Sequence, residues 1–73
     1  MITINIIRTG QNIRALRKQK GITVTELQNA LGFNNPTAIY KWERGECLPT
    51  IDNLLILADV LCESIEDILR VNR

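Results

Sequence analysis

The sequence predicts an all-α fold, a compact bundle of five short helices, on three observations. Helix-start residues, Thr23, Asn35, Thr50 and Ser64, stand ahead of apolar residues at helical spacing. Gly21, Gly32 and Gly45 stand just beyond three expected helices, the first helix and those opened by Thr23 and Asn35, where helices stop. Nothing alternates long enough to make a convincing long strand, and the apolar residues are mostly aliphatic, with one Phe, one Tyr and one Trp.

The elements follow in order. Residues 1–5 form an N-terminal arm in which Ile2, Ile4 and Ile6 alternate, so it reads either as a frayed end or as an edge strand. The first helix is expected from Asn5 or Ile6 to about Lys18, with Ile6, Ile13 and Leu16 on one face. Gly10 interrupts it at a cost of about 0.5–1 kcal/mol relative to alanine, which suggests that another element packs closely there. Cations in the last turn and Gly21 beyond it end the helix.

Thr23 caps the second helix, with Glu26 at the position of a T-x-x-E capping box. Leu27, Ala30 and Leu31 are its expected buried stripe. Asn35 caps the third helix and Pro36 takes its first position, where a missing N–H costs nothing. Thr50 opens a fourth helix, with Leu54, Leu57, Ala58 and Leu61 at i, i+3, i+4, i+7. Leu55, Ile56 and Val60 make it apolar nearly all round, so it is expected at the centre. Ser64 caps the fifth helix, with Ile65, Ile68 and Leu69 inward. Residues 6–70 form the domain and 71–73 a C-terminal tail.

Composition removes several function classes. Seventy-three residues make one small domain of marginal to moderate stability. Cys47 and Cys62 form no disulfide framework and no CxxC, and there is no histidine, so a metal site or other cofactor is not expected. No apolar run reaches the ~20 residues of a membrane helix, and no basic leader of a secretory signal is seen; the expected location is the cytoplasm. Without histidine, a phosphate-cradling glycine loop or paired carboxylates, an enzyme has no foothold.

Net charge is only +1, but it is unevenly spread. Arg8, Arg14, Arg17, Lys18 and Lys20 occur without an acid among them, whereas Asp52, Asp59, Glu63, Glu66 and Asp67 crowd the other end. A polyanion is thereby offered one side to approach. The third helix is divided to match. Ala38, Ile39 and Trp42 form its apolar face, and Thr37, Tyr40, Lys41 and Arg44 its polar one. A short helix so divided suits one held at a surface against a polar polyanion.

Two short helices joined by a tight glycine-containing turn, the second with a polar face, are the ingredients of a helix-turn-helix. The stretches Asn12-Ile-Arg-Ala-Leu-Arg-Lys-Gln-Lys-Gly21, Thr25-Glu-Leu-Gln-Asn-Ala-Leu-Gly32, Ile39-Tyr-Lys-Trp-Glu-Arg-Gly45 and Leu48-Pro-Thr-Ile-Asp-Asn-Leu-Leu55 occur in the order of the phage-repressor and Cro type, or XRE-like, helix-turn-helix family. Ser64-Ile-Glu-Asp-Ile-Leu69 is similar to its fifth helix. The resemblance implies the lambda-repressor-like fold and sequence-specific binding of double-stranded DNA, with the helix of about residues 36–44 in the major groove.

The same resemblance implies residue roles. Thr37, Tyr40 and Lys41 match positions that face base edges; Thr23, Asn35, Arg44 and Gly45 match positions at the DNA backbone. Arg17 and Glu43 match an ion pair joining the first helix to the third. The chain also departs from the family. Val24 stands where many relatives carry a glutamine that touches the backbone. The turn before the third helix is one residue longer than the shortest, and Glu46, Cys47 and Leu48 replace a basic loop. Cys62 stands where a left-handed glycine is common.

The implied function is that of a small Cro-like transcriptional regulator binding as a homodimer. The rival reading is a protein-interaction module, an antitoxin or co-regulator with a protein partner, and it draws on Val24 and Glu46. Arg14 and Lys18 are expected to be solvated, and Trp42 to be core.

Overall fold

The computed structural model describes residues 1–73. Five helices follow one another, α1 (Ile6–Gln19), α2 (Val24–Leu31), α3 (Thr37–Glu43), α4 (Ile51–Leu61) and α5 (Ile65–Ile68). Two short strands, β1 (Thr3–Ile4) and β2 (Val71–Asn72), pair antiparallel with Thr3 opposite Asn72 and Ile4 opposite Val71. The alternating isoleucines at the start of the chain are therefore an edge strand, and its partner is the last few residues. The helical bundle carries a small ribbon that joins its two ends.

Side chains start the helices as their chemistry demands. The Asn5 carboxamide oxygen accepts from the Arg8 N–H at 2.9 Å, and the Thr23, Thr50 and Ser64 hydroxyls accept from the N–H groups of Glu26, Asn53 and Asp67. The start of α3 differs slightly from expectation. The helix begins at Thr37, Pro36 is the boundary residue, and the Asn35 side chain caps by accepting from the Thr37 N–H at 3.0 Å. The shift is one residue, and the capping chemistry is that of Asn35.

The ends of α1 to α4 share one closure, in which a residue in the left-handed region folds two N–H groups back onto the last carbonyls. Gly21, Gly32 and Gly45 occupy it after the first three, and Cys62, at φ 54°, after α4. A cysteine there costs about 1–2 kcal/mol relative to an unstrained backbone.

The core is one cluster of Ile13, Leu27, Leu31, Ile39, Trp42, Leu54, Leu57, Leu61 and Ile68. Helix α1 packs on α3 and α5, and α4 packs on α2 and α5. Two expectations of burial are corrected here. Ala30 is exposed, because α2 presents only the narrow ridge of Leu27 and Leu31 to the core. Helix α4 is not central: Leu54, Leu57 and Leu61 point inward, but Ile51 and Leu55 remain 69% and 56% exposed. That side of α4 faces solvent.

Side chains unremarked in the sequence hold α5 and the ribbon to α1. Thr9 is fully buried, and its hydroxyl donates to the Arg70 carbonyl at 3.3 Å and accepts from the Arg70 N–H at 2.9 Å. The Asn12 carboxamide donates to the carbonyls of Asp67 and Ile68 at 2.8 and 2.9 Å, satisfying the end of α5.

Candidate nucleic-acid interface

Three features set how α3 is presented. The first is Gly10, fully inside the α1–α3 contact, where a β-carbon would stand 2.1 Å from the Trp42 carbonyl oxygen. The backbones of α1 and α3 approach as closely as glycine allows. The second is the ion pair of Arg17 and Glu43: Nε meets Oε2 at 2.8 Å and Nη2 meets Oε1 at 3.2 Å, while Nη1 donates to the Ile22 carbonyl at 3.2 Å. Both side chains are nearly buried, at 10% and 6% exposure. The Glu43 hydrogen bond raises the Arg17 pKa above its usual value against the opposing effect of burial. The third is Trp42, 3% exposed, whose ring meets Phe33 edge-on at 5.8 Å. Phe33 lies in the turn between α2 and α3, so the turn is anchored to α3 from beneath.

With Ile39 and Trp42 held down, the other side of α3 faces solvent. Thr37, Tyr40, Lys41 and Arg44 are exposed at i, i+3, i+4 and i+7. Thr23 and Asn35 are exposed at the starts of α2 and α3. Their polar atoms are partly engaged: the Thr23 hydroxyl donates to the Glu26 carboxylate at 3.1 Å, and the Asn35 oxygen caps α3. Asn35 retains its amide N–H groups as donors.

Gly45 departs from its expected place. It is half-buried, and its N–H donates to the Trp42 carbonyl at 3.0 Å, so it has no free donor for a phosphate. Its φ of 77° and a virtual β-carbon 2.9 Å from Ile7 Cα give it a packing purpose instead. A glycine here closes α3 and lets the following loop lie against α1.

Arg14 and Lys18 are both exposed, and the fold gives them a shared location. With Tyr40 and Arg44 they line an open cleft of about 450 Å³ between α1, α2 and α3, floored by Arg17, Val24 and Glu43. Arg14 and Lys18 have no carboxylate partner, whereas Lys20 is drawn off to Glu63 at 3.3 Å. The i, i+4 spacing of the two residues on α1 was the available signal; only packing decides that this face borders α3. No group of side chains is arranged to hold a metal ion.

A family model described as Helix-turn-helix matches residues 13–68, more than half of the chain. The chain belongs to the XRE-type helix-turn-helix family. Transcription regulation through DNA binding is the function this membership assigns. Among solved structures, the restriction-modification controller protein C.AhdI from Aeromonas hydrophila is similar at 27% identity and a TM-score of 0.76, over 86% of this chain and 94% of that one. The clp gene regulator ClgR from C. glutamicum is similar at 26% identity and a TM-score of 0.76, over 90% and 84%. The DNA-binding domain of BldD shares the fold at 22% identity and a TM-score of 0.73, over 90% and 94%. No curated protein matches in sequence. No helix is long and apolar enough to cross a membrane.

Proposed function

We propose that this protein is a small cytoplasmic Cro-like regulator that reads a specific site in double-stranded DNA with α3 in the major groove. The observation that carries the reading is the exposed row Thr37–Tyr40–Lys41 on a helix whose opposite side is locked by Trp42 and the Arg17–Glu43 pair. A recognition helix has to be rigid, since a shift of its axis displaces every donor from its base. In this reading Lys41 donates to guanine O6 or N7, and Thr37 and Tyr40 meet neighbouring base edges. Thr23, Asn35 and Arg44 hold the sugar–phosphate backbone, and the Arg14–Lys18 side of the cleft extends that hold along one strand.

A homodimer completes the proposal. Seven residues at 1.5 Å rise make α3 only about 10 Å long, about three base pairs at 3.4 Å each. Specific sites call for dissociation constants of roughly 10⁻⁸–10⁻¹¹ M, more than so short a row supplies. Two copies on half-sites about 34–36 Å apart meet that need.

Selection of bound duplexes from a random library at stated salt tests the reading, followed by gel shifts on the selected site and on a scrambled one. Lys41→Ala is expected to cost about 1–3 kcal/mol on the selected site and relax one base position. Arg44→Ala is expected to weaken both duplexes alike and flatten the salt dependence. Equal losses on both duplexes from both variants would contradict the roles, and the absence of any enriched sequence would contradict the function.

A further inference from the structure

Two donors assigned above to the DNA backbone already hold carboxylates in the free protein. The Thr23 hydroxyl meets Glu26, and the Arg44 guanidinium meets Glu46 through Nε and Oε2. The first contact has a structural purpose. Glu26 stands in the first turn of α2, where an acid favours both the cap and the positive end of the helix dipole.

Glu46 has no such purpose. Its N–H donates to the Lys41 carbonyl at 2.9 Å, which fixes it just beyond the end of α3. An acid there opposes the helix dipole. Its carboxylate has one partner, Arg44, and the pair is half-exposed, so the contact adds little to stability. The other paired acids, Glu43 and Glu63, serve cations that join separate elements. Glu46 serves a cation two residues away that points at solvent. What it occupies is the position an anion takes on Arg44.

We infer that Glu46 is an intramolecular stand-in for a DNA phosphate: it holds Arg44 in the free protein and gives it up when the loop after α3 meets the backbone. The inference rests on the reading that Arg44 faces the backbone. Each binding event exchanges a carboxylate for a phosphate, so the gain from Arg44 is reduced on every sequence. Counterion release through Arg44 is reduced but not abolished, and the salt dependence is flatter than Arg44 alone would make it. Binding to arbitrary DNA, which depends on such contacts, is held down, while the base contacts of Lys41 and Thr37 are untouched. Glu46 thereby shifts the balance of recognition from charge to sequence.

The test uses the full chain, a selected duplex and a scrambled duplex, over a series of salt concentrations. Glu46→Gln keeps the shape and removes the charge. It is expected to tighten both duplexes by a similar factor, about two- to fivefold at low salt, and to steepen the salt slope by up to about one unit. In the Arg44→Ala background the same substitution is expected to gain much less, since the effect runs through Arg44. Glu66→Gln removes an equal charge from α5 and controls for net charge; its gain is expected to be clearly smaller. An Arg44→Ala loss on both duplexes with no gain from Glu46→Gln overturns the inference and leaves the DNA reading standing. An equal gain in the Arg44→Ala background, or from Glu66→Gln, overturns it as well. Arg44→Ala binding both duplexes like the natural protein overturns the backbone role of Arg44 and the inference with it. Unchanged thermal melting of Glu46→Gln shows that the comparison is between folded proteins.

Discussion

Arg17 shows how one side chain links sequence, packing and function. Its guanidinium is clasped by the Glu43 carboxylate in two places and by the Ile22 carbonyl in a third, almost out of water. Such a pair is weak support for net stability, because removing two charges from water offsets most of their attraction. Breaking it is another matter. Arg17→Met leaves the Glu43 carboxylate buried and unpaired, and is expected to cost about 3–5 kcal/mol in urea unfolding. Arg17→Met with Glu43→Met is expected to recover most of that loss while still impairing DNA binding, since α3 is then held by packing alone. A double variant as unstable as the single one would contradict this account. The raised Arg17 pKa makes its contribution full at all pH values below the ordinary arginine range, and it is lost only as the pH climbs through the raised value. The arginine thus adds no pH dependence near neutrality.

At the scale of elements, the decisive contact is that of α1 with α3, and Gly10 measures its closeness. Helix propensity alone favours alanine at this position by about 0.5–1 kcal/mol. A β-carbon 2.1 Å from the Trp42 carbonyl oxygen reverses the sign, because the obstacle is backbone and not the end of a flexible chain. Gly10→Ala is therefore expected to destabilise by roughly 2 kcal/mol, in the range of overpacked cores, and to weaken DNA binding by tilting α3. An unchanged or raised melting temperature would rule out so tight a contact. The sequence marked this glycine as a place of close approach from its cost within a helix, but not which element approaches. Thr9 and Asn12 had no such mark. A buried threonine and a carboxamide that caps α5 from α1 are recognisable only once the chain has returned to them some 55 to 61 positions later.

The whole molecule measures 36 × 22 × 20 Å and leaves two apolar faces uncovered. One is the outer side of α4, with Ile51 and Leu55 one turn apart and Leu48 in the loop before them; the other is the ribbon, with Ile2, Ile4 and Val71. Ile56 and Val60 on the same helix are half-buried against the core and contribute less exposed surface. In the proposed dimer the α4 face, which follows α3 in the chain across residues 44–50, is the surface expected to join the two copies. Leu55→Glu is expected to leave a monomer in sedimentation and to abolish cooperative binding to the selected site, while Ile4→Glu remains a dimer. The reverse pattern moves the interface to the ribbon, and a natural protein that is monomeric at high micromolar concentration, with DNA as without, rejects the dimer.

What the sequence determined by itself is local: where each helix starts and stops, and which side of α3 is apolar. Caps, left-handed closures and helical spacing involve residues at most seven apart, so they are legible before any folding is known. Their ordered fragments were also enough to indicate the family. Tertiary structure decided what depends on distant neighbours. It left Leu55 bare on a helix apolar nearly all round, withdrew the Gly45 N–H from any phosphate, and brought Arg14 and Lys18 beside Tyr40. It also joined the first strand to the last. Burial and charge proximity depend on which surfaces meet, and in a chain this short one helix more or less against a face changes the answer.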